Sequence, residues 1–147
     1  MNGITKWVDA LESGNYKQSG IGYLRVGDKF SALGVLCDLY NPKFWSLAGG
    51  TNEQKVYNYY IPNKNCASCE VISDRNLVYP VQTWIGSKGR DPYLPIPFDI
   101  IFDYLIHPAD ISYFIKSYCW NRKIVQLSIL QEVLPFPILA QLIKENL

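Results

Sequence analysis

The hydrophobic positions at the start of the chain repeat at the spacing of an amphipathic helix. The repeat runs at i, i+3, i+4 and i+7 and forms one apolar stripe, made of Ile4, Trp7, Val8 and Leu11. Gly14 can take the left-handed conformation that ends a helix without a steric penalty. We therefore predict a first helix that stops at Ser13 and Gly14.

A second apolar stripe follows a polar stretch and predicts a second helix. Its members are Phe30, Leu33, Leu36, Cys37 and Tyr40. We expect Asp28 to cap the free amide groups at the start of this helix and Asn41-Pro42 to end it. Gly34 inside a helix costs about 1 kcal/mol relative to alanine, and this is tolerated where another backbone comes close. We expect the first or the closing helix to cross there.

The remaining segments carry shorter hydrophobic patterns, some with the spacing of a helix and one typical of a strand. The predicted helices are 81–85, 98–107, a segment from 110 to 119 and a closing helix after Pro135 and Pro137. The predicted strand is 54–61, and the predicted loops are 44–50, 63–76 and 87–97. Residues 124–133 fit both a strand and a helix, and we favour the helix. The sequence thus predicts a single domain over residues 1–147, of mainly helical α+β class with one small antiparallel sheet or hairpin.

The segment between the two opening helices contains two side chains of special interest. Tyr16 and Gln18 lie two residues apart, so in an extended chain they point to the same side. They can lock the segment onto the second helix through side-chain to backbone hydrogen bonds, or they can present a small recognition site. The lock is favoured because a polar loop beside a core needs its backbone groups satisfied.

Composition and charge narrow the classes of partner. Lys and Arg total 14 against 13 Asp and Glu, and neither sign runs in blocks, which gives no support to a nucleic-acid partner or a membrane surface. We expect a cytosolic protein, since no secretory or membrane-spanning apolar run is present. Aromatic residues make up 14% of the chain, which suits either a filled core or a protein-binding surface. Composition leaves the oligomeric state open.

Cysteine spacing offers one candidate for metal chemistry. Cys66 and Cys69 are separated by two residues, as in half of a tetrahedral zinc site, but no convincing second pair accompanies them. An ordinary loop with two reduced thiols is favoured over zinc or a redox pair. Cys37 and His107 could be written as nucleophile and base, but Cys37 falls on a buried helical face. We predict no metal, no cofactor and no catalytic residue.

Three blocks of the chain resemble a known family. The first is Trp7-x-x-Ala10-Leu11-x-Ser13-Gly14-x-Tyr16-x-Gln18 with Leu33-Gly34-Val35-Leu36-Cys37-Asp38, the second is Val81-x-x-Trp84-Ile85-Gly86 with Asp91-Pro92, and the third is Leu134-Pro135-Phe136-Pro137-x-x-Ala140-x-x-Ile143. Together they are similar to a family of small uncharacterised proteins common in bacteriophages and prophages. The chain departs from that family at Phe30-Ser31-Ala32, where an aromatic-Cys-Cys run is common, and at Gln131-Glu132, where an Asn-Asp pair is common. The resemblance implies a phage context and no particular activity.

Two functional hypotheses follow from these observations. The first is a non-enzymatic module that binds a protein partner and modulates a host process, since no catalytic constellation is readable in the sequence. The second is a small enzyme or ligand-binding domain with a pocket near Trp7, Tyr16, Gln18 and Trp84. An exposed tyrosine patch would favour the first hypothesis, and a pocket at these four residues the second.

Overall fold

The protein has an α+β fold built of helices and short strands. The computed structural model describes residues 2–19, 24–47, 54–57, 79–87, 92–105 and 124–147. In chain order the described helices are α1 Gly3–Glu12, α2 Ala32–Tyr40, a 3₁₀ turn Pro42–Phe44, α3 Tyr79–Ile85, α4 Phe98–Ile101, α5 Leu127–Leu130 and α6 Phe136–Asn146. The strands are β1 Lys17–Gln18, β2 Arg25–Val26, β3 Lys29–Phe30, β4 Trp45–Leu47, β5 Gln54–Tyr57, β6 Tyr93–Pro95 and β7 Ile124–Gln126. The α+β class predicted from the sequence is confirmed.

The first helix forms where its apolar stripe predicts. Trp7, Val8 and Leu11 are buried on one side of α1. The side chain of Asn2 accepts a hydrogen bond from the Thr5 amide at 2.8 Å and so caps the helix start. Gly14 follows the helix with a φ of 74°, the left-handed conformation expected of a helix stop.

The start of α2 differs from the prediction. Its N-cap is Ser31, whose Oγ accepts a hydrogen bond from the Gly34 amide at 3.0 Å, and not Asp28. Asp28 lies instead in the turn between β2 and β3, after Gly27 with a φ of 61°. The prediction failed because a two-residue hairpin strand carries too few positions to show a period. Phe30 therefore belongs to β3 and not to the helix.

Gly34 is a point of close backbone approach, as its place inside a helix suggested. A Cβ atom added at Gly34 would overlap the carbonyl group of Leu24. The prediction that the first or the closing helix crosses there was wrong, because the approaching backbone is that of Leu24, next to β2. The amide of Ser31 also donates a hydrogen bond to the Leu24 carbonyl at 3.0 Å, so this segment lies along the start of α2.

The strands form two small sheets where one was expected. The larger sheet has the order β1-β3-β2-β5-β4, with β1 parallel to β3 and the other pairs antiparallel. The smaller sheet pairs β6 with β7 in antiparallel fashion. Strands β4 and β6 lie where loops were predicted. Each is three residues long, which is too short to show a strand period. Strand β4 pairs with the next strand, β5, whereas β6 pairs with the distant β7.

Several shorter predictions are refined by the structure. Strand β5 lies within the predicted segment 54–61. Helix α3 begins at Tyr79, before the predicted start at residue 81, and Gly86 closes it with a φ of 70°. The helix predicted at 98–107 ends at Ile101. Residues 124–133 contain both candidate structures, since β7 is followed directly by α5. The helix predicted from residue 110 and the loop at 63–76 lie outside the described residues.

One core joins α1, α2 and α6. Trp7, Leu11, Leu33, Leu36 and Leu142 are buried there, while Ile138 is partly buried against this core. Helix α1 packs against both α2 and α6. Within the described ranges, no helix is long and apolar enough to cross a membrane.

Candidate functional site

Gln18 ties the first sheet to the start of the closing helix. Its Nε2 donates hydrogen bonds to the Leu134 carbonyl at 2.7 Å and the Gln131 carbonyl at 3.3 Å. Its Oε1 accepts from the Phe136 amide at 3.1 Å. The N-cap position of α6 is Pro135, which has no side-chain acceptor, so Gln18 supplies the missing cap from a distant part of the chain.

Gln131 caps the start of α2, just as Gln18 caps the start of α6. Its side chain is 7% exposed, and its Oε1 accepts a hydrogen bond from the Leu33 amide at 3.1 Å. That amide lies in the first turn of α2, where backbone donors have no partner within the helix. The two glutamines thus cap two different helices, and Gln18 also bonds the backbone of Gln131. We call this pair the glutamine interlock.

Tyr16 anchors the same segment to α2 through an acidic side chain. Its hydroxyl donates to Oδ2 of Asp38 at 2.8 Å, while Oδ1 of Asp38 accepts from Trp45 Nε1 at 2.9 Å. Burial, with the hydrogen bond and charge of Asp38, raises the pKa of Tyr16 above its usual range, against a smaller opposing effect of Arg25. Tyr16 is therefore neutral and donates its proton across the neutral pH range. Both oxygens of Asp38 are occupied by donors from the protein itself.

An arginine and three aromatic rings complete this cluster. The ring of Tyr16 meets Phe30 edge to face at a centroid distance of 5.1 Å, and Phe30 meets Trp45 at 6.0 Å. The guanidinium of Arg25 lies 4.7 Å from the Phe30 ring centroid and 5.6 Å from that of Trp45. Its Nε donates to the Gly27 carbonyl at 2.8 Å. These contacts hold the hairpin of β2 and β3 against the aromatic cluster.

The structure does not bring the four predicted site residues into one pocket. Trp7 is 0% exposed and donates its Nε1 hydrogen to the Ala32 carbonyl at 2.7 Å, so it belongs to the core. Trp84 is half-buried on α3, with Tyr40 at 5.6 Å and the Lys6 ammonium at 5.9 Å from its ring. Tyr16 and Gln18 point toward α2 and toward the start of α6. A binding role for any of the four stays a prediction.

The hydrogen bonds of Tyr16 and Gln18 differ from the predicted lock in both partners. Tyr16 reaches α2 as expected but bonds the side chain of Asp38 and not the backbone, while Gln18 bonds backbone groups at the junction of α5 and α6. Sequence reasoning missed Trp45 and Gln131 as members of these networks. Asp38 is the last residue of the Leu33–Asp38 block that carries the family resemblance. An acidic side chain beside a buried helical face was the one signal in the sequence that pointed to its hydrogen-bond network.

The chemistry of the described cysteine runs against nucleophilic catalysis. Burial, with a smaller contribution from Asp38, raises the pKa of the Cys37 thiol well above its usual range. Cys37 is fully buried and protonated at neutral pH, the reverse of an activated thiolate. Cys66, Cys69 and His107 lie outside the described residues, and within the described part no group of three or more His, Cys, Asp or Glu side chains is placed to hold a metal ion. The expected lack of a metal and of a cofactor stays a prediction.

A groove of about 360 Å³ lies along α1 beside the C-terminal end of α6. It is lined by residues of α1, of which Val8 is buried, together with Asn2, Lys144 and Leu147. None of the four predicted site residues lines it.

Among the described residues, exposed apolar side chains concentrate at a different place, around the second sheet and α4. The large hydrophobic residues exposed there are Tyr93 at 50%, Phe98 at 39%, Phe102 at 42%, Tyr104 at 41% and Ile124 at 47%. Leu94 and Val125 are opposite each other in the sheet and buried, so Tyr93, Pro95 and Ile124 share the outer side. We call these three side chains the outer face of the second sheet.

Comparison with known proteins gives the family and no activity. A family model described as a domain of unknown function, DUF8296, matches residues 3–147, and the chain belongs to this family. No curated protein and no solved structure matches the chain. A single domain over residues 1–147 remains a prediction with which this match agrees.

Proposed function

We propose that the chain is a non-enzymatic protein-binding module of phage or mobile-element type that acts in the cytosol on a host process. The observation that carries the proposal is the concentration of exposed apolar side chains around the second sheet and α4. The resemblance of the opening motif to phage and prophage proteins supplies the biological context. The protein partner is a component of the host cell.

The outer face of the second sheet suits a protein partner. Tyr93 and Ile124 expose about half of their surface, and Pro95 lies opposite Ile124 on the same side of the sheet. Tyrosine combines a large apolar ring with a hydroxyl, so it contributes contact area at low cost in side-chain entropy. Exposed apolar groups gathered in one place are typical of interaction sites on proteins that otherwise bury such groups.

The polar groups of the opening motif, which comprises the blocks Trp7–Gln18 and Leu33–Asp38, support a binding module over an enzyme. Asp38 accepts two hydrogen bonds from Tyr16 and Trp45, and both ends of the Gln18 amide are bonded to backbone groups. Cys37 is buried as a neutral thiol. A catalytic site needs such groups aimed at a reacting atom, whereas here they bond to the protein itself. This arrangement favours a structural role for the motif.

The test is capture of a partner with matched surface variants. We would express the tagged chain in a bacterial host, cross-link, purify and identify bound proteins by mass spectrometry. We expect a specific protein with the wild type, lost in the double variant Tyr93→Ser and Ile124→Ser. Leu147→Ser, which removes an exposed apolar side chain at 44% exposure elsewhere, is the matched control and should retain the partner. Absence of any specific protein, or equal capture by the double variant, would contradict the proposal.

A further inference from the structure

Helix α4 and its C-cap residue present two aromatic rings side by side to solvent. Phe98 and Phe102 lie one helical turn apart, and their rings stack at a centroid distance of 6.2 Å and an interplanar angle of 25°. They are 39% and 42% exposed, while Ile101 between them in sequence is fully buried. The helix is therefore anchored by its inner side chain, and the ring pair is left on the outside.

Two carboxylates follow the rings by one position each. Asp99 and Asp103 are exposed and lie one turn apart, so an acidic row runs beside the aromatic row. Residues 92–105 contain no lysine, arginine or histidine. Within the described residues the ion pair is Lys17 with Asp28, and neither Asp99 nor Asp103 has a cationic partner. We call Phe98, Asp99, Phe102 and Asp103 the α4 face.

We propose that the α4 face binds an arginine-bearing basic segment of a partner protein. This inference rests on the proposed protein-binding function and names the chemistry of the partner. A guanidinium can stack on an aromatic ring while its N–H groups bond a neighbouring carboxylate, and adjacent aromatic and acidic rows offer both contacts at once. Lysine supplies a positive charge, but it lacks a planar group that can stack on an aromatic ring and donate paired hydrogen bonds to a carboxylate. Arginine is therefore preferred.

The nearly neutral net charge of the chain limits the attraction of a basic peptide to local acidic surfaces. The formal net charge is +1 at pH 7, so the chain as a whole does not attract a basic peptide. An attraction measured at modest salt must then come from a local acidic surface. The same carboxylates repel phosphate groups, which disfavours nucleic acid or an anionic membrane at this face.

The test uses short fluorescent peptides and charge-matched variants. The probes alternate serine with arginine, with lysine or with glutamate, and binding is followed by anisotropy at low and at physiological salt. We expect the arginine peptide to bind more tightly than the lysine peptide and the glutamate peptide not to bind. Phe98→Ala with Phe102→Ala, and separately Asp99→Asn with Asp103→Asn, should each weaken arginine-peptide binding roughly tenfold, as expected for two exposed cation contacts.

The matched control removes two carboxylates from a surface without aromatic rings. Asp9 and Glu12 are exposed on α1 and line the groove between α1 and α6, where no aromatic side chain contributes. Asp9→Asn with Glu12→Gln changes the net charge by the same amount and should leave binding unchanged. The asparagine variants of the α4 face keep side-chain volume, and a thermal melt of each variant confirms that it is folded.

The outcomes separate this inference from the proposed function. Equal loss of binding in the α1 control, or equal affinity for arginine and glutamate peptides, would overturn the α4 assignment. If the α4 variants leave peptide binding unchanged while capture of a partner still depends on Tyr93 and Ile124, the assignment is wrong and the proposed function stands. If the arginine peptide binds the α4 face but no host protein is ever captured, the basic-ligand chemistry holds and the proposed function fails.

Discussion

The glutamine interlock and the outer face of the second sheet orient their side chains in opposite ways. In the first region Gln18 and Gln131 turn their amides inward and cap two helices, so polar groups bond to the protein itself. In the second region Tyr93 and Ile124 leave apolar surface in water. Polar groups turned inward indicate a structural role, and apolar groups turned outward indicate a surface used by a partner.

Breaking the core beneath the interlock should produce the largest effect. Leu36 is 0% exposed and lies on α2 in the cluster shared with α1 and α6. Leu36→Ala should lower the free energy of unfolding by about 2 to 5 kcal/mol, through lost burial and a residual cavity. Urea denaturation measures this directly. A variant that unfolds at the wild-type urea concentration would show that these three helices do not share one core.

Removing the Gln18 side chain should have the next largest effect. Gln18→Ala deletes three hydrogen bonds and leaves the Phe136 amide at the start of α6 without its cap. We expect a loss of about 2 kcal/mol in the free energy of unfolding. Gln141→Ala is the matched control, because Gln141 is exposed on α6 and bonds only Glu145, and it should change stability by less than about 0.5 kcal/mol. Equal effects of the two substitutions would remove the argument for an interlock.

This network shows what the sequence could and could not predict. The shared direction of Tyr16 and Gln18 follows from local backbone geometry, so a locking role was readable from two residues. Their partners were not, because Gln131, Leu134 and Phe136 lie more than a hundred residues away, and no local pattern encodes such a contact.

The same limit explains the errors in the fold. Long amphipathic stripes predicted α1, most of α2 and α6, because each buries a face over several turns. The three-residue strands β4 and β6 were predicted as loops, and Asp28 was assigned to a cap when it occupies a hairpin turn. Exposed rings such as Phe98 could not be told from core residues, since exposure depends on the packing of the whole chain.

Deleting the Tyr16 hydroxyl should have a smaller and pH-dependent effect. Tyr16→Phe removes one hydrogen bond to the Asp38 carboxylate and should cost about 1.5 kcal/mol at neutral pH. The pKa of Tyr16 is raised in the folded protein, so its contribution is present below the unfolded pKa of about 10 and is lost as the pH rises above it.

The gap in stability between wild type and Tyr16→Phe should therefore narrow in alkaline solution. The other tyrosines titrate in both proteins and cancel in the difference. Urea denaturation at a series of pH values measures it, and a gap that widens above pH about 10 would contradict the assignment of Tyr16 as a buried donor.

The smallest effect is expected at the surface ion pair that flanks the interlock. Lys17 Nζ lies 2.9 Å from Asp28 Oδ2, but both side chains are 70% exposed. The pair lowers the pKa of Asp28 and raises that of Lys17, so any contribution from Asp28 is present above its unfolded pKa and is lost as the pH falls. Asp28→Asn should leave the melting temperature unchanged at physiological salt, because solvent and ions screen the pair. A clear drop would mean that the hairpin turn depends on this charge.

We propose that the glutamine interlock stabilises the fold and that the outer face of the second sheet binds the partner. This division of roles is tested most directly by measuring both stability and partner capture on the same two variants. For Gln18→Ala we predict a lower melting temperature and, at a temperature where the variant is folded, wild-type capture of the cross-linked partner. For the double variant Tyr93→Ser and Ile124→Ser we predict an unchanged melting temperature and lost capture. The reverse pattern, with capture lost in Gln18→Ala and stability lost in the surface variant, would contradict the account.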